Sequence, residues 1–156
     1  MTAPAMPPIP VFRFWLEIAP ASADDKGPTW SQAAFSECTG LEATMEPKVI
    51  KEGGRNYGAV QRIGPVTFGT VVLKRGLTRD ARLWEWFAAS ARQLPALRRN
   101  VTIEIRSPSM AEKGAVQKWT LVRALPIKLK VPDLSARATE VGIEELHLAH
   151  EGMLPG

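Results

Sequence analysis

This chain is short of reactive side chains and of long apolar runs. Its 156 residues include one cysteine, Cys38, and two histidines, His147 and His150. A single cysteine excludes an intrachain disulfide and is typical of a reducing compartment. No apolar run approaches the roughly 20 residues that a membrane-spanning helix needs, so we expect no stable membrane anchoring. The N-terminal sequence lacks the basic and long apolar regions of a signal peptide, which favours cytoplasmic assembly.

The few groups that could carry chemistry do not form a recognisable catalytic set. If His147 and His150 lie on one strand, their side chains face opposite sides and cannot share a metal. The same alternation separates Glu144 from Glu145 and argues against a paired-carboxylate site. Nothing around Cys38 supports a nucleophile, so we interpret it as a small buried thiol. We therefore expect no enzyme: no catalytic residue, no metal site and no cofactor.

Strand-forming sequence broken by turn formers is abundant. The 13 prolines and 12 glycines are scattered along the chain, which suits many short strands better than a helical bundle. Alternating apolar residues predict strands over residues 12–18, 41–51, 101–105, 116–131 and 139–150, and a short, weak strand is expected over residues 30–39, ending at Gly40. The long strand 116–131 should be interrupted at Pro126, and the last strand should bulge near Glu144 because its apolar residues change parity there.

The length, with 45% hydrophobic and 23% charged residues, suits one domain with one core. We divide the chain into a Pro-rich N-terminal arm (1–10), a single domain (11–152) and a C-terminal tail (153–156). From the residues alone, this domain is an antiparallel sandwich or barrel with one helix laid against it.

Residues 66–94 combine a strand, a sharp turn and the only convincing helix. The segment 66–73 is apolar or β-branched on both faces, which predicts a strand covered on both sides. Thr78 is the expected N-cap of a helix over about residues 79–94. Trp84 and Trp86 mark the edges of its apolar stripe. The helix packs on a sheet in the simpler interpretation, and one of its edges meets a neighbouring subunit in the alternative.

A long hairpin is predicted ahead of this helix. Residues 41–51 alternate, and residues 57–68 return toward the central strand. Pro47 cannot donate to a ladder, so this arm is an edge or projects from the body. Gly53 and Gly54 are expected to supply positive φ at the turn. Such unpaired edges suit identical subunits that pair head-to-tail into closed rings.

The net charge of +4 (20 basic minus 16 acidic) would assist an anionic partner without requiring one. Arg98, Arg99, Lys128 and Lys130, with Trp119 nearby, could form a basic stacking surface for single-stranded nucleic acid. A solvated face is the simpler interpretation.

Four segments, in this order and spacing, make the sequence similar to the tail tube proteins of contractile phage tails and phage-like extracellular injection systems. They are FSECTGLEATME (35–46), KEGG (51–54), LKRGLTRDARLWEWF (73–87) and ALPIKLKVPDLSARATEVGIEELHLAHEG (124–152). The resemblance covers about residues 11–152. It implies a mainly β fold, an antiparallel β-barrel or sandwich of the tail-tube type with the helix of residues 79–94 packed on it.

The same resemblance implies a structural subunit of the inner tail tube of a contractile injection machine. Six copies would form a ring, and stacked rings would form a hollow tube that is driven through a target envelope and conducts DNA or toxin cargo. Its partners would be itself, the sheath protein, baseplate or tube-initiator proteins and a tail terminator. Assembly in the cytoplasm would be followed by a place in a phage tail or injection particle.

Two alternatives stay open. The loop of residues 19–29 is longer than a tight turn, which favours a tube initiator at the baseplate end. A β-barrel module that binds nucleic acid or a ligand is the alternative of another class. Motif positions, together with Arg55 and the helix edge, predict a subunit interface at Glu52, Gly53, Gly54, Arg55, Lys74, Arg75, Gly76 and Trp86.

Overall fold

The computed structural model describes residues 14–23, 25–92, 97–106, 115–137 and 142–156, with the side chains of all but residues 31–34 and 115–116. These ranges contain eleven strands and one helix. Their bounds are β1 Phe14–Pro20, β2 Trp30–Thr39, β3 Ala43–Met45, β4 Lys48–Ile50, β5 Val60–Arg62, β6 Val66–Phe68, β7 Val71–Gly76, α1 Arg82–Arg92, β8 Arg99–Arg106, β9 Ala115–Lys130, β10 Ile143–Ala149 and β11 Gly152–Pro155. The predicted arm (1–10) lies outside the described residues.

Six strands form a closed antiparallel barrel. Their order is β10-β7-β2-β1-β8-β9, and β9 returns to pair with β10. The 16 residues of β9 make this closure possible: residues 115–124 pair with β8, and residues 125–130 pair with β10. β11 continues along the same edge of β9 after β10 ends. The predicted antiparallel barrel with one helix is confirmed.

Alternation directs one apolar row from each barrel strand into a common core. β1 and β8 show the period-two burial that the sequence predicts for half-buried strands, and β7 alternates between buried and half-buried residues. Burying each of these aliphatic side chains contributes roughly 1.5–3 kcal/mol to folding. The side chains with the least exposed surface are Leu16, Ile18, Val71, Leu73, Val101, Ile103, Leu121, Leu146 and Leu148.

The strand predicted over residues 66–73 is two strands in the structure. β6 pairs only with β3, whereas β7 pairs with β2 and β10 in the barrel. Gly69 and Thr70 separate them. Both faces of β7 are covered or half-covered, as expected, but Val66 and Thr67 in β6 are exposed. The residue types are alike in both halves, so the local pattern could not show where the strand leaves the barrel.

The helix begins later than predicted and has a different cap. Thr78 Oγ1 accepts from the Asp80 backbone N–H at 3.2 Å, and Asp80 Oδ1 accepts from the backbone N–H of Arg82 at 3.0 Å. The carboxylate of Asp80 therefore caps the N-terminus of the helix in place of the Thr78 hydroxyl. The buried face centres on Leu83 and Trp86.

Two expectations for the C-terminal half were wrong, and a third was right only in part. β10 pairs with β7 without a bulge from Ile143 to Leu148, because Glu144 points inward where an apolar residue was expected. β9 continues as a strand through the buried Pro126, but its register with β10 shifts there, because His147 lies opposite Lys128 and Leu148 lies opposite Pro126. Residues 153–155 of the predicted tail belong to β11.

Gly40 should be among the least replaceable residues. Its φ is +83°, and an added Cβ would overlap the carbonyl oxygen of Thr70. We expect Gly40→Ala to lower the free energy of unfolding by at least about 1–3 kcal/mol, the usual cost of a strained backbone, with the overlap adding to it. Gly53 is the matched control, since a Cβ added there would meet nothing within 4 Å and its φ is not positive. Urea unfolding of both alanine variants would measure this, and equal midpoints would contradict it.

Candidate assembly surface

The hairpin of residues 43–68 projects from the barrel as an element of its own. β3 pairs with β6 and β4 pairs with β5, in two short sheets separate from the barrel sheet. Glu46 and Pro47 join β3 to β4. On the returning side, Gly64 is buried against Glu46, and a Cβ there would overlap the Glu46 carbonyl oxygen. The chain can make this close crossing only with glycine at that position.

The hairpin carries large apolar side chains that the described part of the subunit leaves exposed. Tyr57 is 93% exposed and Ile63 is 80% exposed. Isolated exposed apolar residues are common, but a concentration on one projecting element is typical of an interaction site. We call this set the hairpin apolar residues: Met45, Val49, Tyr57, Ile63 and Val66.

The predicted interface residues of the hairpin turn lie together at its exposed tip. Glu52 and Arg55 form an ion pair of 3.7 Å on the surface. Gly54 has φ of +83°, and the other hairpin glycine with positive φ is Gly58 at +68°. Gly53 does not, so the prediction that both turn glycines supply positive φ was wrong for Gly53.

The predicted interface residues on β7 have three different environments. Lys74 is half-exposed, and its Nζ lies 3.5 Å from Glu37 Oε2. Gly76 lies opposite Ile143 at the end of the strand. Arg75 is only 3% exposed, and its Nε donates to Glu144 Oε2 at 2.8 Å. Arg75 therefore has almost no surface to offer a neighbour and serves as a core cation.

Trp86 is also a core residue. It is 3% exposed, and its indole N–H donates to the carbonyl oxygen of Leu97 at 3.1 Å. Ser90, one turn later, donates to the same oxygen. Trp84 faces the other way and is exposed, in edge-on contact with Phe87. If an edge of this helix meets a neighbour, Trp84 is therefore the side chain with surface to do so.

The basic stacking surface suggested by the sequence does not form. Arg99 is buried, and its Nε lies 3.1 Å from Asp25 Oδ2, which anchors the loop after β1. Arg98 Nη1 lies 3.3 Å from Glu151 Oε1. Trp119 is half-buried and packs against the barrel core. Only Lys128 and Lys130 of the proposed set remain exposed, so the nucleic-acid alternative has lost its structural basis.

The described residues contain no group of three or more His, Cys, Asp or Glu that could hold a metal ion. Glu144 and Glu145 diverge as expected: Glu144 meets Arg75 in the core, whereas Glu145 Oε2 lies 3.2 Å from His147 Nε2. Burial raises the pKa of the Cys38 thiol to about 12. No helix in the described ranges is long and apolar enough to cross a membrane.

The described residues thus form a closed barrel with an exposed apolar hairpin. The T4-like virus tail tube protein gp19 family matches residues 10–154, and the chain belongs to this family of structural tail tube proteins. A search of curated protein sequences gave no match.

Solved structures share the fold. One match is a chain of the anti-feeding prophage (AFP) baseplate, from a 6-fold symmetrised cryo-EM structure. It is 27% identical in sequence, and the two structures superpose with a TM-score of 0.78. The match covers 99% of the present chain and 97% of the AFP chain. A second match is a chain of the PVC extracellular contractile injection system, from its sheath-tube complex in the extended state. It is 20% identical with a TM-score of 0.77, and the match covers 100% of the present chain and 99% of the PVC chain. Hcp1 from Flavobacterium johnsoniae is 11% identical with a TM-score of 0.53, and the match covers 93% of the present chain and 95% of the Hcp1 chain.

Sequence reasoning found the hairpin turn but missed the hairpin apolar residues. Their alternation looks the same as that of a barrel strand. The available signal was the combination of Pro47 with the five glycines from Gly53 to Gly69, because proline and glycine are both unfavourable inside a covered strand.

The buried Arg75–Glu144 pair gives a stability prediction. Arg75→Met leaves the Glu144 carboxylate buried without its main partner, so we expect a loss of about 3–5 kcal/mol. The double variant Arg75→Met/Glu144→Leu should recover most of that loss. Arg123→Met is the control, because Arg123 pairs with Glu151 on the surface and such pairs contribute about 0–1 kcal/mol. Chemical denaturation would test this, and similar losses for Arg75→Met and Arg123→Met would contradict it.

Cys38 should be unreactive while the protein is folded. With its pKa near 12, the thiol at pH 8 holds roughly a thousandfold less thiolate than an unperturbed cysteine. We expect alkylation by iodoacetamide at pH 8 to be slower by about that factor than in denaturant. As the pH rises toward 12 the rate should climb, since the reactive form is the deprotonated one. Equal rates for folded and unfolded protein at pH 8 would refute this.

Proposed function

We propose that this chain is a structural subunit of the inner tube of a contractile injection particle. Identical copies form rings of six, and stacked rings form a hollow tube inside a sheath. The tube is driven through a target envelope and conducts cargo, either toxin or DNA. A baseplate lies at one end of the tube and a terminator at the other.

The hairpin apolar residues carry this proposal. A subunit that worked alone would leave Tyr57 and Ile63 in water at a cost in solubility. Membership of the tail tube family gives these residues a partner, namely further copies of the chain. The AFP baseplate and PVC sheath-tube complexes, in which similar chains are found, support the sheath and baseplate as neighbours.

A tube initiator at the baseplate end is the second candidate. The AFP structure that matches at 27% identity is a baseplate. The loop after β1 is longer than a tight turn, and its Asp25 is held by an ion pair with the buried Arg99. The two roles differ in position along the particle. Immunogold labelling of intact particles would mark the whole tube for a main tube subunit and one end only for an initiator.

Electron microscopy of the purified protein tests the function and the hairpin together. The wild type at high concentration should form rings or tubes under negative stain. Ile63→Asp should block assembly without unfolding the monomer, because Ile63 is 80% exposed and loses no core packing. Ile63→Leu, which keeps an apolar side chain, should assemble.

Two results would count against the proposal. A wild type that stays monomeric, with and without sheath and baseplate proteins, would remove the tube function. Tubes of normal appearance from Ile63→Asp would leave the function standing but remove the hairpin from it.

A further inference from the structure

Facing charges have opposite signs in every described pair of strands except one. Residues directly opposite each other in an antiparallel sheet share a face, and like charges in such positions are destabilising. The facing lysine, arginine, aspartate and glutamate residues of the barrel are Glu37–Lys74, Arg75–Glu144, Lys74–Glu145, Glu104–Lys118 and Glu145–Lys130. In the hairpin, by contrast, Lys48 of β4 lies opposite Arg62 of β5. We call Lys48 and Arg62 the cation pair.

No described carboxylate lies within ion-pair distance of the cation pair. Both side chains are exposed, and no ion pair among the described residues includes either of them. The positive charge extends along the hairpin of residues 43–68, which has four basic and two acidic residues and so contributes +2 to the net charge of +4. The isolated subunit thus has a charge repulsion on its projecting element that an anion would remove.

The cation pair has the geometry to hold one anion between its two head groups. Facing Cβ atoms are about 4.5–5.5 Å apart, so the ammonium and the guanidinium fork can both reach the oxygens of one carboxylate or phosphate group. Ile50 and Val60 face each other on the same side of the β4–β5 ribbon, and both are half-buried. These apolar neighbours exclude part of the water beside the cations, which strengthens charge pairing there.

The opposite face of the β4–β5 ribbon has a different chemistry. Val49 and Gln61 face each other there, and both are uncharged and exposed. A neighbouring protein can cover that face without burying a charge, whereas contact with the other face would bury two like charges together. The cationic face therefore needs an anion before it can enter a close interface.

We propose that the cation pair is a binding site for one oxyanion, a carboxylate or phosphate group, which lies between Lys48 and Arg62 when copies assemble. The inference rests on the proposed tube and adds to it an anion requirement at the hairpin. Two sources supply the same negatively charged oxygens: a carboxylate side chain of a neighbouring copy, or free phosphate from solution.

Charge reversal tests the site without weakening the hairpin. Lys48→Glu places a carboxylate opposite Arg62, so the hairpin gains an internal ion pair and loses the anion site. We expect the protein concentration needed for assembly to rise at least about tenfold, since the introduced carboxylate repels the anion that the interface requires. Lys51→Glu is the matched control, because Lys51 is an exposed hairpin lysine outside the facing pairs of the ribbon. Negative-stain microscopy of a dilution series measures this assembly threshold.

Carbodiimide cross-linking of the assembled wild type identifies the source of the anion. The reagent joins an amine to a carboxylate where the two are in contact, so a carboxylate of a neighbouring copy gives covalent oligomers linked at Lys48. Lys48→Arg keeps the positive charge without the amine, so it should assemble normally and lose the link. If free phosphate is the anion, no link forms at Lys48, and about 10 mM phosphate at constant ionic strength lowers the assembly threshold of the wild type but not of Lys48→Glu.

The outcomes separate the anion site from the tube function. A raised threshold for Lys48→Glu but not for Lys51→Glu, with either the Lys48 link or the phosphate effect, supports the site. Equal thresholds for these two variants, or the absence of both signals, would overturn the site and leave the proposed function intact. A wild type that forms no rings would overturn the function, and phosphate titration of that monomer would then decide on the site. Amide shifts at Lys48 and Arg62 that Lys48→Glu abolishes would support it, and their absence would overturn it.

Discussion

The closure of the barrel by β9 is the constraint on which the rest of the structure depends. One half of this strand pairs with β8 and the other half with β10, and β11 extends along its edge. Arg123, with φ of +52°, lies where the register with β8 shifts, and the local change of twist at such a shift lets one strand serve two partners. Because the barrel satisfies its own core, the subunit can fold before it assembles.

Among the described residues, closure leaves the hairpin of residues 43–68 outside the barrel core. The projecting hairpin is apolar and exposed, and its burial would release water in the way that any hydrophobic contact does.

Local sequence was sufficient for the barrel strands and insufficient for the long-range pairs. The strand predicted from Trp30 to Thr39 has the bounds that the structure gives for β2. The Arg75–Glu144 ion pair joins residues 69 positions apart, and no local pattern indicates that two charges will be buried together. The hairpin apolar residues alternate like core residues. Only the pairing of the strands shows that no described residue covers them.

The central claim is that the hairpin gains its cover only when copies assemble. Hydrogen exchange of the backbone amides, compared between dilute monomer and assembled tube, measures this directly. The account predicts fast exchange over residues 43–68 in the monomer and strong protection in the tube, with the barrel strands β1 and β8 protected in both. Hairpin amides that are equally protected in monomer and tube would contradict it.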